Sequence, residues 1–189
     1  MQERSVTVRG RTHRLESPFF VIATQNPMEQ VGTYPLPESQ MDRFIIRTGI
    51  GYPPEDVEKS IIMHGSIRDD IRHITPLVTK NDILEARRSI REDVYLSEKV
   101  TGYIFALVAA TRSHPLVLSG ISTRGGINIA EAARVHAYLE GRDYVAPEDV
   151  KQVVVPVGAH RLVCRVEHEG LDKEEMLSTI LRNIQVPLV

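Results

Sequence analysis

Three polar residues stand where chemistry would need them. Asn26 follows the apolar run Phe19-Phe20-Val21-Ile22-Ala23 across Thr24-Gln25. The run is too short to span a membrane and lacks two-residue alternation, so it reads as a strand buried on both faces, as in a parallel sheet. Ligands of open α/β sheets sit beyond the carboxyl ends of strands, which places Asn26 to meet a nucleotide or substrate. Arg43 lies between a short predicted helix, residues 38–42, and a second apolar run that begins Phe44-Ile45-Ile46. Burial of Phe44 and Ile45 in a sheet would anchor the backbone there and leave the arginine free to point outward. Arg124 falls in the first turn of a helix that Ser122 or Thr123 starts. The positive end of a helix repels a cation, so an arginine there makes sense beside an anion such as phosphate. The plainer readings are a solvated Arg124 and, for Arg43, a surface salt bridge with Asp42 or Glu38 contributing about 0–1 kcal/mol.

Other groupings carry less. His160, Cys164 and His168 fall at i, i+4, i+8, a spacing that aligns three metal ligands on a helix. Val163 and Val166 are poor helix formers and Gly170 follows closely, so packing, and no metal site, is the expectation. His64, His73, His114 and His136 lack carboxylates or cysteines at ligand spacing, and no G-x-S-x-G supports serine hydrolase chemistry. Glu38 and Asp42 share a helix face, where helix-end and solvated roles outweigh an acid–base pair.

The elements that position these residues change character along the chain. Residues 5–15 alternate around Arg9-Gly10 and read as a β-hairpin with a glycine turn. Arg9, Arg11 and Arg14 make it locally basic, which suits either a solvated hairpin or contact with an acidic partner or nucleic acid. Pro37 suits the first position of the short helix and Glu38 its first turn. A second buried strand is predicted over 44–50 and a helix over 54–63, with Glu55, Asp56 and Glu58 at its positive end. The polar residues 65–76 read as a linker. Beyond them the pattern is helical. Asn81 or Asp82 caps one helix and Ser97 the next, in which Val100, Tyr103, Ile104, Leu107, Val108 and Thr111 form an amphipathic stripe. The helix from Ser122 or Thr123 runs to about Glu140, where Gly141 stops it. Gly125-Gly126 weakens its start by up to about 1 kcal/mol each relative to Ala. Pro147 opens a fourth helix. Asp172 caps a last one with Met176, Leu177, Ile180 and Leu181 on its buried side.

Composition is consistent with this plan. The chain has 189 residues, enough for one domain or two small ones, with 42% hydrophobic and 25% charged residues. A net charge of −2 gives no overall attraction to nucleic acid or an anionic membrane. No apolar run approaches a membrane span, and the first residues, MQERSVTVRGRTHR, lack the apolar core of a signal peptide. A single cysteine, Cys164, excludes an internal disulfide and suits a reducing cytoplasm.

The strings ATQNP (residues 23–27) and LPESQMDRF (residues 36–44), in this order, resemble the second half of a MoxR-type AAA+ ATPase core, and GISTR (120–124) with GRDYVAPEDVK (141–151) resembles the MoxR helical lid. The resemblance implies an α/β fold: the C-terminal part of an AAA+ P-loop core (residues 1–64, with parallel strands and a pre-sensor 1 hairpin), a linker (65–76) and an all-α lid (77–189). By the same resemblance Asn26 is the sensor 1 asparagine, Arg43 the arginine finger and Arg124 the sensor 2 arginine, with Asn26 and Arg124 facing nucleotide. ATP and Mg2+ are the implied cofactors. The implied activity is ATP hydrolysis at the interfaces of a ring, in all expectation a hexamer. It would drive chaperone-like assembly or metal-insertion maturation of client complexes with von Willebrand factor A-domain partners, in the cytoplasm. Neither a G-x-x-x-x-G-K-[ST] loop nor an apolar strand ending in Asp-Glu occurs in these residues. The chain is therefore expected to be the C-terminal part of a longer ATPase and inactive alone. Two other readings stay open: a helicase-like relative that works on nucleic acid through the hairpin arginines, and a non-catalytic module that docks on intact subunits.

Overall fold

The structure, a computed structural model, describes residues 5–25, 37–65, 73–168 and 170–187. Asn26 therefore lies outside the described residues, as does most of the predicted linker.

The chain begins with the expected hairpin. β1 (Ser5–Val8) pairs antiparallel with β2 (Arg11–Arg14) in a register that sets Val8 opposite Arg11. Both turn residues, Arg9 and Gly10, have positive φ, the backbone twist that a two-residue hairpin turn requires. The short helix α1 (Glu38–Met41) follows, with Pro37 at its cap rather than inside its first turn, and then α2 (Glu55–His64) with three acids in its first turn.

The two apolar runs depart from expectation. Residues 19–25 and 44–50 form no strand among the described residues, and Phe20, Ile22 and Ile50 are exposed. A parallel strand exists only as a rung between other strands with helices on both faces, and the described residues supply neither. Their hydrophobicity shows what these segments can bury, while pairing depends on elements elsewhere.

The second half builds its own core. Thr79, not Asn81 or Asp82, caps α3 (Lys80–Asp93). Asp82 takes the third helical position and bonds back to the Thr79 N–H at 2.7 Å, closing a capping box. Ser97 caps α4 (Glu98–Ser113), and all six stripe residues are buried. Then come β3 (Val117–Ser119), α5 (Thr123–Leu139) capped by Ser122, and α6 (Pro147–Gly158) with Pro147 at its start. A 3-10 turn at Ala159–Arg161 leads into β4 (Val163–Cys164), which pairs antiparallel with β3. The last helix, α7 (Lys173–Arg182), has Asp172 as its cap. Fully enclosed Leu107, Ile121, Ile129, Val154, Leu162 and Leu177 join α4 to α7 in one core. His160, Cys164 and His168 lie on a 3-10 turn, a strand and a second 3-10 turn, so no helix aligns them.

Among the described residues, the polar node of this bundle is Asp149, whose side chain is fully enclosed. It accepts hydrogen bonds from Arg142 Nη1 at 2.7 Å, His136 Nδ1 at 2.7 Å and the Ala146 N–H at 2.7 Å. The node ties the end of α5, the loop after it and the start of α6 together.

Candidate functional site

The loop before α5 is locked onto α4. Gly120 passes so close that a Cβ would lie 2.6 Å from the Arg112 backbone nitrogen. The buried Thr111 hydroxyl accepts from the Ile121 N–H at 3.0 Å, and Arg112 Nε donates to the Ile121 carbonyl at 2.9 Å. Ser122 then caps α5 by accepting from the Gly125 N–H. Arg124 is thereby presented, half exposed, from the first turn of α5.

An anion does stand beside it, and it belongs to the protein. The Asp42 carboxylate lies 3.8 Å from Arg124 Nη1, receives a hydrogen bond from the Ser122 hydroxyl at 3.4 Å, and accepts from Arg161 Nε at 3.1 Å. The plainer reading of Arg43, a surface salt bridge with Asp42, is not what the structure shows. Asp42 is taken by residues of the helical half, while Arg43, the next residue, is exposed with no side-chain hydrogen bond or ion pair among the described residues. The structure thus brings the neighbourhoods of Arg43 and Arg124 to one place.

Arg161 is the residue that reading along the sequence missed. Its side chain is 1% exposed although it carries a charge. Nη2 donates to the carbonyls of Asp42 at 3.2 Å and Phe44 at 2.7 Å, and Nη1 donates to Ile45 O at 3.2 Å and to the Val157 carbonyl. Nη1 also lies 2.8 Å from His160 Nε2. The same ring nitrogen lies 3.1 Å from the Phe44 carbonyl oxygen, which can only accept. Burial and the adjacent Arg161 charge both push the His160 imidazolium down, in keeping with a neutral ring. Burial also pushes Arg161 down, and the Asp42 charge pulls it back up. The Arg47 N–H completes the contact with a 2.9 Å bond to the Pro156 carbonyl at the end of α6. Phe44 is only partly buried and Ile45 is 54% exposed. Hydrogen bonds to Arg161, rather than burial in a sheet, hold the backbone beside Arg43. The sole local hint was a charged residue flanked by Val157, Gly158, Ala159 and Leu162, an apolar setting in which an arginine needs a partner.

The two glycines after Arg124 are not equivalent. A Cβ at Gly125 would meet Ile121 Cγ2 at 2.5 Å and Arg161 Cδ at 2.9 Å, both enclosed side chains without room to yield. At Gly126 the nearest atom, Val108 Cγ2, is an ordinary 3.5 Å away. Gly126→Ala is therefore expected to raise stability by up to about 1 kcal/mol through helix propensity. Gly125→Ala is expected to lower it, because overpacking costs about 1–3 kcal/mol and outweighs the same gain. Urea unfolding midpoints decide the order; a stabilising Gly125→Ala contradicts the packing described.

Comparison with known proteins agrees with this geometry. Residues 1–46 match the ATPase family associated with various cellular activities (AAA), and residues 109–180 match the AAA lid domain. A crystal structure of a candidate ATPase from Cytophaga hutchinsonii superposes with a TM-score of 0.86 at 37% identity, over 99% of this chain and 60% of that one. The fold is that of an AAA+ ATPase with its helical lid. Among curated proteins, the chain is 38% identical to the uncharacterized protein YeaC of Bacillus subtilis over 100% of its length and 59% of YeaC. It is 34% identical to the chaperone MoxR1 of Mycobacterium tuberculosis over 100% of its length and 52% of MoxR1, and 28% identical to protein MoxR of Methylorubrum extorquens over 97% of its length and 58% of that protein. The chain is thus a homologue of the MoxR-type AAA+ ATPases. It spans between about half and three-fifths of the length of these relatives.

Proposed function

We propose that this chain forms the arginine-finger half of the core and the lid of a MoxR-type ATPase, divided as core (1–64), linker (65–76) and lid (77–189). In the complete enzyme, ATP with Mg2+ supplies the phosphoryl group whose transfer to water drives the machine. Asn26 would orient a polar group at the nucleotide, Arg124 would bind phosphate oxygens from the lid, and Arg43 would present its charge to the neighbouring subunit of a ring, as a hexamer would arrange it. Work on a client complex with a von Willebrand factor A-domain partner, including metal insertion, belongs to the same proposal, as does a cytoplasmic setting. Among the described residues no helix is long and apolar enough to cross a membrane.

The observation that carries this reading is the pairing of Arg124 with an oxyanion at a helix start. The Asp42 carboxylate stands 3.8 Å from its guanidinium, so an oxyanion already fits this position, and a phosphate would compete with Asp42 for it. Neither Arg124 nor Arg43 brings the backbone cradle of a P-loop. The 189-residue chain is therefore expected to bind ATP weakly and not to hydrolyse it. Calorimetric titration with ATP and Mg2+ tests this: stoichiometric binding tighter than about 10 μM, near −6.8 kcal/mol, contradicts it.

A further inference from the structure

Arg161 sits in the lid, yet its guanidinium serves the segment that bears Arg43. Of its acceptors among the described residues, the carboxylate and carbonyl of Asp42 and the carbonyls of Phe44 and Ile45 lie 116 to 119 residues away. A planar guanidinium offers five donors in a fixed fork. Using that fork on the backbone carbonyls of residues 42, 44 and 45 holds a segment in both position and orientation, which one ion pair cannot do. Burial strengthens each bond, because the alternative is an unpaired charge in the interior. The Arg47 N–H to Pro156 carbonyl bond adds a second attachment on the far side of Arg43. Gly125 leaves the gap through which the Arg161 stem passes, in the first turn of the helix that also presents Arg124. Asp42 joins the two, with Arg161 on one oxygen and Arg124 beside the other.

We infer that Arg161 is a positioning residue for Arg43: it docks residues 42–47 onto the lid of the same subunit, so that segment and lid move as one body. Lid movement at a subunit's own nucleotide then changes how that subunit offers Arg43 to its neighbour. This inference rests on the proposed finger role of Arg43 for its consequence in catalysis, but the docking itself is independent of that role. Arg161 touches no reacting atom; it acts through the backbone of residues 42–45.

Hydrogen exchange on the 189-residue chain tests the docking without reference to activity. In the unaltered chain the Arg47 amide is expected to exchange as slowly as the amides of α6; exchange at the rate of an unprotected peptide overturns the inference. In Arg161→Gln, loss of the charge-assisted bonds is expected to speed Arg47 exchange by about tenfold or more while α4 and α5 stay protected. Arg161→Lys keeps the buried charge but not the fork, and serves if the glutamine variant fails to fold; it is expected to show the same selective loss. A folded variant with unchanged Arg47 exchange overturns the inference.

In the complete ring, misplacing Arg43 by about 1 Å is expected to lower kcat by about 10²-fold with KM for ATP unchanged. Combined with Arg43→Ala, Arg161→Gln is expected to cause no further loss. A merely structural role would instead lower the melting temperature and add its own loss in the Arg43→Ala background, and that result overturns the inference. The two failures are distinguishable: if Arg43→Ala rings keep their rate, the finger reading falls; if Arg43→Ala cripples the ring but a folded Arg161→Gln does not, the docking alone falls.

Discussion

Rings of the complete ATPase carrying Arg43→Ala are expected to hydrolyse ATP about 10³- to 10⁵-fold more slowly, the range in which trans arginines act in other NTPases. The alternative, a surface salt bridge, would make the same substitution nearly silent. The geometry argues against that alternative. Asp42 is engaged by Arg161 and Ser122 and lies beside Arg124, and Arg43 is exposed with no side-chain partner among the described residues. A long, charged side chain on a firmly held backbone is suited to meet charge supplied from outside the subunit. Mixed rings test the direction. Subunits with Arg43→Ala and an intact P-loop are combined with P-loop-dead subunits that keep Arg43. Interfaces joining the good P-loop to the good arginine should regain activity although each parent ring is nearly dead. If mixing restores nothing while rings still assemble, Arg43 does not act in trans.

Asp149→Ala is expected to destabilise the helical half by about 3–5 kcal/mol, the cost of breaking a buried ion pair by removing one partner. Its carboxylate is fully enclosed and holds Arg142, His136 and the Ala146 N–H at once. Removal leaves two cationic or polar side chains without their acceptor and uncaps the start of α6. Far-UV circular dichroism in urea reads the loss; a midpoint within about 0.5 kcal/mol of the wild type, as for an ordinary surface change, would show that the node holds nothing. The same residue sets an acid limit. Burial alone would raise its pKa, but Arg142 with the Ala146 N–H and His136 brings it to about 2, against an ordinary value of 3.8. A depressed carboxylate contributes stability that is complete above its unfolded pKa and is lost as pH falls through the folded one. The contribution, about 2 kcal/mol, should therefore be intact above about pH 4 and gone near pH 2. In Asp149→Asn that part of the acid dependence should be absent.

Much of the lid was legible in the residues themselves. The α4 stripe gave all six buried positions because helical periodicity is a local property, and a single face had to be covered. Ser97 and Asp172 announced helix starts, Ser122 or Thr123 a third that Ser122 caps, and Pro147 a first turn, because capping satisfies backbone groups within three residues of the cap. The sequence alone points to Asn81 or Asp82 as the cap of the helix that Thr79 in fact caps, because all three residue types can cap. Only the backbone decides which is non-helical, and Asp82 then serves from the third position.

Tertiary structure alone decided the rest. Arg161 and Asp42 are separated by 119 residues, and no local pattern connects them. An arginine among apolar residues signals a partner without saying which. The Asp149 node looks, in sequence, like a first-turn acid that favours the helix dipole; enclosure by α5 and the following loop makes it an ion-pair centre. The apolar runs at 19–23 and 44–50 declare that they can be buried, but strand pairing is a relation between segments and is settled by neighbours. The chain by itself thus determined where its helices begin and which faces they bury, since those depend on contacts a few residues apart. The place where Asp42, Arg124 and Arg161 meet beside Arg43 came from packing, since a buried charge takes its partners from whatever the fold brings within about 3 Å.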